Sequence, residues 1–279
     1  MDKSRRKVLA AIGVTASALV VLAAAPAQAA TTGVAKVTGS GTVVFTAASG
    51  RQNSVVITIK GRTVTLDDRV ALKAGKGCKR VDKTRVTCTT AKKTTKIQAT
   101  LGDRKDKVTD KTSVPLYADG GSGDDTLIGG SGRDQLKGGT GADTIKGRDG
   151  RDSLAGGAGN DVLDGGSGGD QIIGDDGDDV IHGRGGADDL YGRAGKDVLY
   201  GDDGDDTAYG GDGDDTVSGG AGADVIVGEW LVEDNGYVWG DPAAVDRLDG
   251  GTGSDRCGIF GTSTATNCEA FIPIYPWDN

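Results

Sequence analysis

Large side chains are scarce in this sequence. Phe, Trp and Tyr make up 4% of the 279 residues, and there is one methionine. A conventional core of large side chains is hard to build from such a composition. Glycine, with 50 residues, is in excess and costs backbone entropy on folding. We therefore expect something other than side-chain burial to hold much of the chain together.

Long apolar runs are also missing beyond the N-terminus. Residues 8–25 are apolar, follow a basic stretch, and precede Ala27-Gln28-Ala29, which is a small-x-small cleavage site. This pattern predicts that residues 1–29 are a signal peptide, with no membrane association after cleavage. Arg5 and Arg6 resemble a twin-arginine motif, so both Sec and twin-arginine export stay open. An uncleaved membrane anchor is the weaker alternative.

Cysteine is limited to four residues, which fits a secreted protein in an oxidising compartment. Four cysteines allow three pairings. The local pairs Cys78–Cys88 and Cys257–Cys268 are favoured, because each closes a short loop worth roughly 2–3 kcal/mol. Zinc binding is the competing interpretation, but no C-x-x-C occurs and the single histidine is remote in sequence.

A nine-residue period dominates the centre of the chain. It runs twelve times without a gap through residues 120–227, in units such as GGSGDDTLI and GGAGNDVLD. Positions 1 and 4 are always glycine, position 6 is always aspartate, and position 8 is always aliphatic, with Ala208 the weakest member. Disorder would not keep these residue types in phase, so the period predicts a repeat fold.

Each unit has a direct physical interpretation. Glycines three apart allow a tight turn of about six residues, and one aliphatic residue between free positions suits a strand of about three residues with one side chain inward. A single strand buries little, so the units must stack. Two units per coil would make a flattened spiral of two sheets, with six coils spanning about 29 Å at roughly 4.8 Å per strand.

Stacking the units also stacks the position-6 aspartates. Asp125 and Asp143, 18 residues apart, would lie on one edge a coil apart. Like charges about 5 Å apart repel by roughly 0.8 kcal/mol in water and by more at a low-dielectric edge. Cations must therefore lie between them. Carboxylates and free turn carbonyls are hard oxygen ligands that suit several Ca²⁺ ions better than Mg²⁺.

The units resemble the haemolysin-type (RTX) calcium-binding repeat, whose fold is a parallel β-roll. This resemblance implies that the position-6 aspartates are the Ca²⁺ ligands, with turn carbonyls completing about ten sites. The implied ligands are Asp125, Asp134, Asp143, Asp152, Asp161, Asp170, Asp179, Asp188, Asp197, Asp206, Asp215 and Asp224. Arginine or aspartate replaces glycine at position 2 of five units, where we expect weaker or altered binding: Arg148, Asp175, Arg184, Arg193 and Asp202.

The flanking segments differ from the repeats in charge. Residues 30–119 carry 18 Lys and Arg against 7 Asp, whereas residues 120–227 carry 8 against 24. The basic segment is rich in β-branched residues and predicts a β-rich N-terminal domain that caps the roll. Residues 101–108 resemble a degraded repeat, with Asp106 at the ligand position and Val108 at the core position.

The C-terminal segment, residues 228–279, begins with a 13-residue insertion. Its Asn235-Gly236 pair, flanked by apolar residues, predicts a β-hairpin that is either a lid over the open end or a partner-binding protrusion. Asp246, Leu248 and Asp255 then return to repeat phase, and the cysteine-bearing end completes a cap. The whole layout loosely resembles secreted calcium-binding proteins of actinobacteria.

No catalytic signature stands outside the repeat pattern. His182 is at position 9 of a unit, where a solvated surface histidine is expected, and no H-E-x-x-H or Walker loop occurs. Gly165-Gly166-Ser167-Gly168-Gly169 matches the nucleophile-elbow pattern, but serine is common at position 3 of the units. We therefore expect no enzymatic activity and take the elbow match as chance.

The sequence thus predicts an all-β protein: a parallel β-roll with a small N-terminal β-rich domain and a disulfide-bearing C-terminal cap. We expect a monomeric, extracellular protein that binds Ca²⁺ and whose folding is driven by this binding. One alternative is a surface or matrix interaction protein with a cell-surface or extracellular polymer partner. The other is a secreted hydrolase hidden in residues 31–118. No nucleic-acid partner is expected, because the basic segment has almost no aromatics to stack on bases.

Overall fold

A computed structural model describes residues 32–228, 232–234, 237–239, 246–258 and 263–271. All of the regular structure among these residues is β, in two 13-stranded sheets and one separate hairpin. No helix in this part of the chain has the length and apolar character that a membrane span needs. The predicted signal peptide lies outside the described residues.

The repeats supply twelve parallel strands, six to each sheet, which confirms the six predicted coils. Consecutive strands alternate between the sheets, so each strand pairs with those 18 residues away, as Leu154 does with Leu136 and Ile172. The strands are β11 (Thr126–Ile128), β12 (Gln135–Thr140), β13 (Thr144–Asp149), β14 (Ser153–Ala158), β15 (Val162–Ser167), β16 (Gln171–Asp176), β17 (Val180–Gly185), β18 (Asp189–Ala194), β19 (Val198–Asp203), β20 (Thr207–Asp212), β21 (Thr216–Gly222) and β22 (Val225–Val227).

The strands are longer than the three residues that the repeat pattern predicts. Most have six residues, because pairing continues from positions 7–9 into positions 1–3 of the next unit. In β12, for example, Gly139 pairs with Gly157, and Thr140 pairs with Ala158. Two glycine backbones can pair at this close approach, so the turn proper shrinks to positions 4–6.

One aliphatic side chain per repeat forms the core between the two sheets, as the pattern predicts. All twelve position-8 residues are at most 2% exposed, including the small Ala208. Their neighbours at positions 7 and 9 point outward, so Val162 is 44% exposed beside Leu163 at 0%. The core is therefore one side chain deep along the repeats.

The N-terminal residues extend the same two sheets. Strands β8 (Lys96–Asp103) and β9 (Lys107–Asp110) pair in parallel with β10 (Leu116–Ser122) and β11, and Val108 lies opposite Leu127. This pairing confirms the degraded repeat. Before it come β1 (Gly33–Thr38), β2 (Thr42–Thr46), β3 (Ser54–Lys60), β4 (Thr63–Asp67), β5 (Leu72–Ala74), β6 (Cys78–Arg80) and β7 (Arg85–Thr89).

The end beyond these parallel strands is closed by antiparallel pairs. Strand β2 pairs in parallel with β8 but antiparallel with β1, and β3 pairs in parallel with β9 but antiparallel with β4. The Cys78–Cys88 disulfide joins facing residues of β6 and β7, as the local pairing predicts. Phe45 and Leu66 are fully buried here, so the core is bulkier than in the repeats.

The C-terminal residues return to the roll after the insertion. Strands β25 (Arg247–Gly253), β26 (Arg256–Gly258), β27 (Thr264–Thr266) and β28 (Ala270–Phe271) continue the two sheets, and a disulfide joins Cys257 and Cys268. Within the insertion, β23 (Val232–Asp234) and β24 (Tyr237–Trp239) form the predicted antiparallel hairpin. Its Asn235-Gly236 turn lies outside the described residues.

Candidate metal sites

The position-6 aspartates form two columns, one on each edge of the roll. The strand register brings residues 18 apart together, so all twelve predicted site residues fall into one column or the other. We call these columns the first and second ladders. The first ladder contains Asp125, Asp143, Asp161, Asp179, Asp197 and Asp215, and the second contains Asp134, Asp152, Asp170, Asp188, Asp206 and Asp224.

Neighbouring aspartates within a ladder are joined by hydrogen bonds of one kind. The backbone N–H of Asp143 donates to Oδ1 of Asp161 at 2.7 Å, and the N–H of Asp161 donates to Oδ1 of Asp179 at 2.8 Å. Each aspartate therefore donates its backbone N–H to the aspartate of the next coil, and its Oδ1 accepts the N–H of the aspartate of the previous coil. One carboxylate oxygen is consumed by the roll itself.

The other oxygen, Oδ2, has no protein partner in most of the ladder. The aspartates are at most 2% exposed, so these oxygens are buried as well as unpaired. The unpaired Oδ2 atoms belong to Asp125, Asp143, Asp152, Asp161, Asp170, Asp179, Asp188, Asp197, Asp206 and Asp224. A buried carboxylate oxygen with no partner costs several kcal/mol, so these atoms need a cation or a proton.

Asp134 differs from the others. Its Oδ2 accepts a hydrogen bond from the N–H of Gly130 at 2.7 Å, while Oδ1 accepts one from Leu116 at 2.8 Å. The coil before it turns through residues 111–115, which lack the repeat glycines. The protein thus satisfies both carboxylate oxygens of Asp134, which is at the start of the second ladder.

The position-1 glycines keep a small space open beside each unpaired oxygen. A Cβ placed on Gly138 would clash with Oδ2 of Asp143 and lie 2.6 Å from the carbonyl oxygen of Gly156. A carboxylate oxygen and a carbonyl oxygen from the next coil therefore face the same space. Glycine is needed here because a side chain would not fit. Its conformational freedom is not the reason, since the backbone of Gly138 is not in the left-handed region.

At the five position-2 substitutions the backbone keeps a conformation that glycine usually adopts, and four of the side chains form ion pairs. Arg148, Asp175, Arg184, Arg193 and Asp202 have φ of 71–84°, which is the left-handed region that such residues adopt at a cost of roughly 1–2 kcal/mol. Two pairs of opposite charge meet one coil apart: Arg193 Nε lies 3.4 Å from Asp175 Oδ1, and an Arg184 nitrogen lies 3.6 Å from Asp202 Oδ2. The ladder hydrogen bonds continue unbroken past these turns.

Burial raises the pKa of many carboxyls in the two ladders. It raises the pKa of Asp125, Asp152, Asp179 and Asp206 to about 7, and the like charges of neighbouring rungs add to the effect. For Asp161, Asp188 and Asp197 the pKa rises to about 6, again chiefly through burial. Without a counter-ion, the ladder is thus poised to take up protons near neutral pH.

The ladders are longer than the twelve repeats. Asp106 precedes Asp125 in the first ladder, and Asp246 and Asp255 extend the two ladders at the far end across a separation of 31 residues. The repeat phase identifies these three positions. The end groups Asn53, Ser263 and Glu269, which hydrogen-bond to the terminal aspartates, carry no periodic signal in the sequence.

The enzyme-like motifs lie on the outside of the roll. His182 Nδ1 lies 3.2 Å from Asp202 Oδ2, and its ring stacks on Tyr200 with centroids 4.6 Å apart. Ser167 ends β15 and is followed by another turn and β16, where a nucleophile elbow would be followed by a helix.

The donor set suits a hard, oxygen-seeking cation. Among the described residues, no three His, Cys, Asp or Glu side chains gather into one cluster. A shell here must combine carboxylates from successive turns with backbone carbonyls. Calcium accepts such a mixture, with six to eight oxygens in flexible geometry. The unpaired buried Oδ2 atoms and the adjacent carbonyls therefore fit Ca²⁺.

Comparison with known proteins agrees with this geometry. The chain matches the RTX calcium-binding nonapeptide repeat in four copies, at residues 119–147, 137–172, 164–199 and 200–230. No curated protein matches the chain at a significant level. The match covers residues 119–230, so the part of the chain that forms the parallel roll and the aspartate ladders is similar to the RTX calcium-binding nonapeptide repeat family.

Proposed function

We propose that this is a secreted, non-enzymatic protein that folds by binding a row of Ca²⁺ ions along each ladder. The observation that carries the proposal is the series of buried, unpaired Oδ2 atoms on consecutive rungs. The position-6 aspartates would hold the ions through these oxygens, and the position-1 carbonyls that face the same spaces would supply further ligands. The bound ions neutralise the charge that otherwise repels along each edge.

Calcium binding and folding are coupled in this proposal. Residues 120–227 carry 24 Asp against 8 Lys and Arg, and their core is one aliphatic side chain deep. Burying a column of carboxylates opposes folding unless cations compensate for it. Because the spaces exist only between stacked coils, the binding free energy becomes folding free energy.

A calcium titration tests the proposal. Residues 30–279 are followed by circular dichroism as Ca²⁺ is added to the metal-free protein. We expect a cooperative gain of β signal that EDTA reverses and that Mg²⁺ does not reproduce. A full β signal in excess EDTA, together with no calcium binding by calorimetry, would rule the proposal out.

The secreted location is supported by the N-terminal export pattern and the two disulfides, because disulfides persist in oxidising compartments. The absence of catalysis is supported by the surface position of His182 and by the lack of an elbow at Ser167. Immunoblotting of culture supernatant would test export. A substrate screen of the calcium-loaded protein that gave turnover would contradict the non-enzymatic assignment.

A second candidate function is favoured by the hairpin. In the described part of the insertion, strands β23 and β24 pair with each other and with neither sheet of the roll. In this alternative the roll is a calcium-stiffened scaffold and the hairpin contacts a cell-surface or extracellular polymer. Pull-down from such material would compare the intact protein with a variant lacking residues 229–239. Equal capture by both would exclude the hairpin as the contact.

A further inference from the structure

One turn of the N-terminal segment imitates a repeat turn. Residues 47–53 stack on residues 100–106: the Ala47 N–H donates to Thr100 O at 2.8 Å, and the Asn53 N–H donates to Oδ1 of Asp106 at 2.5 Å. The second bond is the one that joins successive ladder aspartates. Asn53 therefore occupies the position-6 place of a coil that precedes the degraded repeat.

Asp68 completes this end of the first ladder. In the repeats, the N–H of the position-7 residue donates to the backbone carbonyl of an aspartate one coil earlier, as Thr126 does to Asp106. The described residues contain no earlier coil beneath Ser54, and its N–H donates instead to Oδ1 of Asp68 at 2.7 Å. The carboxylate of Asp68 thus takes the place of the backbone carbonyl that a preceding rung would offer.

Three buried oxygens around this turn lack a hydrogen-bond partner. They are Oδ1 of Asn53, Oδ2 of Asp68 and Oδ2 of Asp106, and their residues are 0%, 2% and 1% exposed. The three side chains are neighbours. Asn53 Nδ2 donates to Oδ1 of Asp106 at 3.1 Å, and Asp68 Oδ1 accepts the N–H of Ser54, the residue next to Asn53, at 2.7 Å.

Arg69 follows Asp68 in the sequence but does not form an ion pair with it among the residues that the structure describes. Its Nε donates to the Gln52 carbonyl at 3.0 Å, and Asp68 Oδ2 stays unpartnered. The Nε–H of Arg69 is therefore used by Gln52 and not by the three unpaired oxygens.

We propose that Asn53, Asp68 and Asp106 form an additional Ca²⁺ site, outside the nonapeptide repeats, that fastens the N-terminal segment to the first ladder. The proposal rests on the proposed function, because Asp106 also belongs to that ladder. Two carboxylates and an amide oxygen are hard ligands, and turn carbonyls can complete their shell.

Native mass spectrometry of the mature chain in Ca²⁺ counts bound ions and tests the site. Asp68→Asn keeps an Oδ1 acceptor for Ser54 and replaces the unpaired oxygen by an amide, so we expect one ion fewer. The control Asp67→Asn changes the adjacent exposed carboxylate, which pairs with Arg85, and should keep the wild-type count. An unchanged count in Asp68→Asn would overturn this site alone, whereas a wild type that binds no ion would overturn the proposed function with it.

Asn53→Asp provides a second test if Asp68→Asn fails to fold. It restores the aspartate that the repeats carry at this place. If a cation binds there, the variant should keep the wild-type ion count and hold the last ion at lower free calcium. If no cation binds, a third buried carboxylate joins Asp68 and Asp106. A lower melting temperature than the wild type in saturating Ca²⁺ would then overturn the proposal.

Discussion

In most ladder aspartates the two carboxylate oxygens have different roles. Oδ1 accepts the backbone N–H of the preceding rung, and Oδ2 faces a space that position-1 glycine keeps clear. The first role needs only an acceptor, which asparagine also offers. The second needs charge. Substitutions can therefore separate the structural role of the residue from its role toward the metal.

Asp161→Asn should weaken the roll only when calcium is present. Oδ1 can still accept the Asp143 N–H, but the charge that would face the ion is lost. We expect a loss of about 1–3 kcal/mol of unfolding free energy in saturating Ca²⁺, and no loss of the residual β signal in EDTA, where one repulsive charge is gone. The exposed Asp212→Asn is the control. Equal destabilisation in both buffers would show that Asp161 acts only through the hydrogen bond.

Gly156→Ala tests the space beside the unpaired oxygen. The added Cβ would clash with Oδ2 of Asp161 and lie 2.7 Å from the Gly174 carbonyl. We expect a cost of about 1–3 kcal/mol and weaker calcium binding. In the control Gly185→Ala the Cβ meets nothing within 4 Å, so stability should change little. Thermal melts in Ca²⁺ that coincide for the two variants would contradict this account.

Protons should partly substitute for calcium in the metal-free roll. Burial raises the pKa of Asp125 and Asp179 to about 7. A carboxyl whose folded pKa is raised stabilises the metal-free roll most below its unfolded pKa, and this contribution is lost as pH rises towards the folded pKa of about 7. In EDTA, the β signal in circular dichroism should therefore increase as pH falls from 8 to 5.5. A β signal that stays constant over this range would refute the assignment.

At the scale of a single strand, stability depends on the side of the sheet that a residue faces. Leu163 in β15 is fully buried, whereas the adjacent Val162 is 44% exposed. Leu163→Ala should lower the unfolding free energy by about 2–5 kcal/mol, since a core one side chain deep cannot fill the cavity. Val162→Ala should cost much less. Guanidinium unfolding at fixed Ca²⁺ measures both, and similar losses would argue against a thin core.

Periodicity determines which strands and sites can be predicted from the sequence. Twelve identical spacings of Asp and aliphatic residues predict the register, the two edges and the six coils, because stacking leaves no other way to bury position 8. The same phase locates Asp106, Asp246 and Asp255. Strand length was predicted wrongly, since glycine pairing across coils depends on contacts 18 residues apart.

The ladder ends could not be predicted, because they follow no period. At the ladder ends, polar groups from segments with no repeat signal take the place of a further aspartate. These groups belong to Asn53, Asp68, Ser263 and Glu269. Their identity depends only on which polar atom reaches an unpaired group. Such contacts are set by the local path of the chain, and a sequence pattern does not describe that path.

At the scale of the whole molecule, the same two sheets contain segments of opposite charge. The basic residues 30–119 and the acidic repeats share both 13-stranded sheets, which span about 58 Å at roughly 4.8 Å per strand. Without calcium, the repelling repeats should expand. Small-angle scattering should show the radius of gyration falling from about 55 Å toward roughly 20 Å on calcium addition. A compact metal-free chain would contradict coupled folding.

The chain also shows where the roll accepts extra sequence. Asp215 and Asp246 remain hydrogen-bonded neighbours at 3.0 Å although they are 31 residues apart in sequence. The 13 additional residues between these two rungs are therefore accommodated without a gap in the ladder. The register of the later coils is unaffected. A foreign peptide of similar length, exchanged for residues 229–240, should therefore be displayed by the roll without disturbing its register. When calcium is withdrawn and the roll unfolds, the peptide should lose its fixed position.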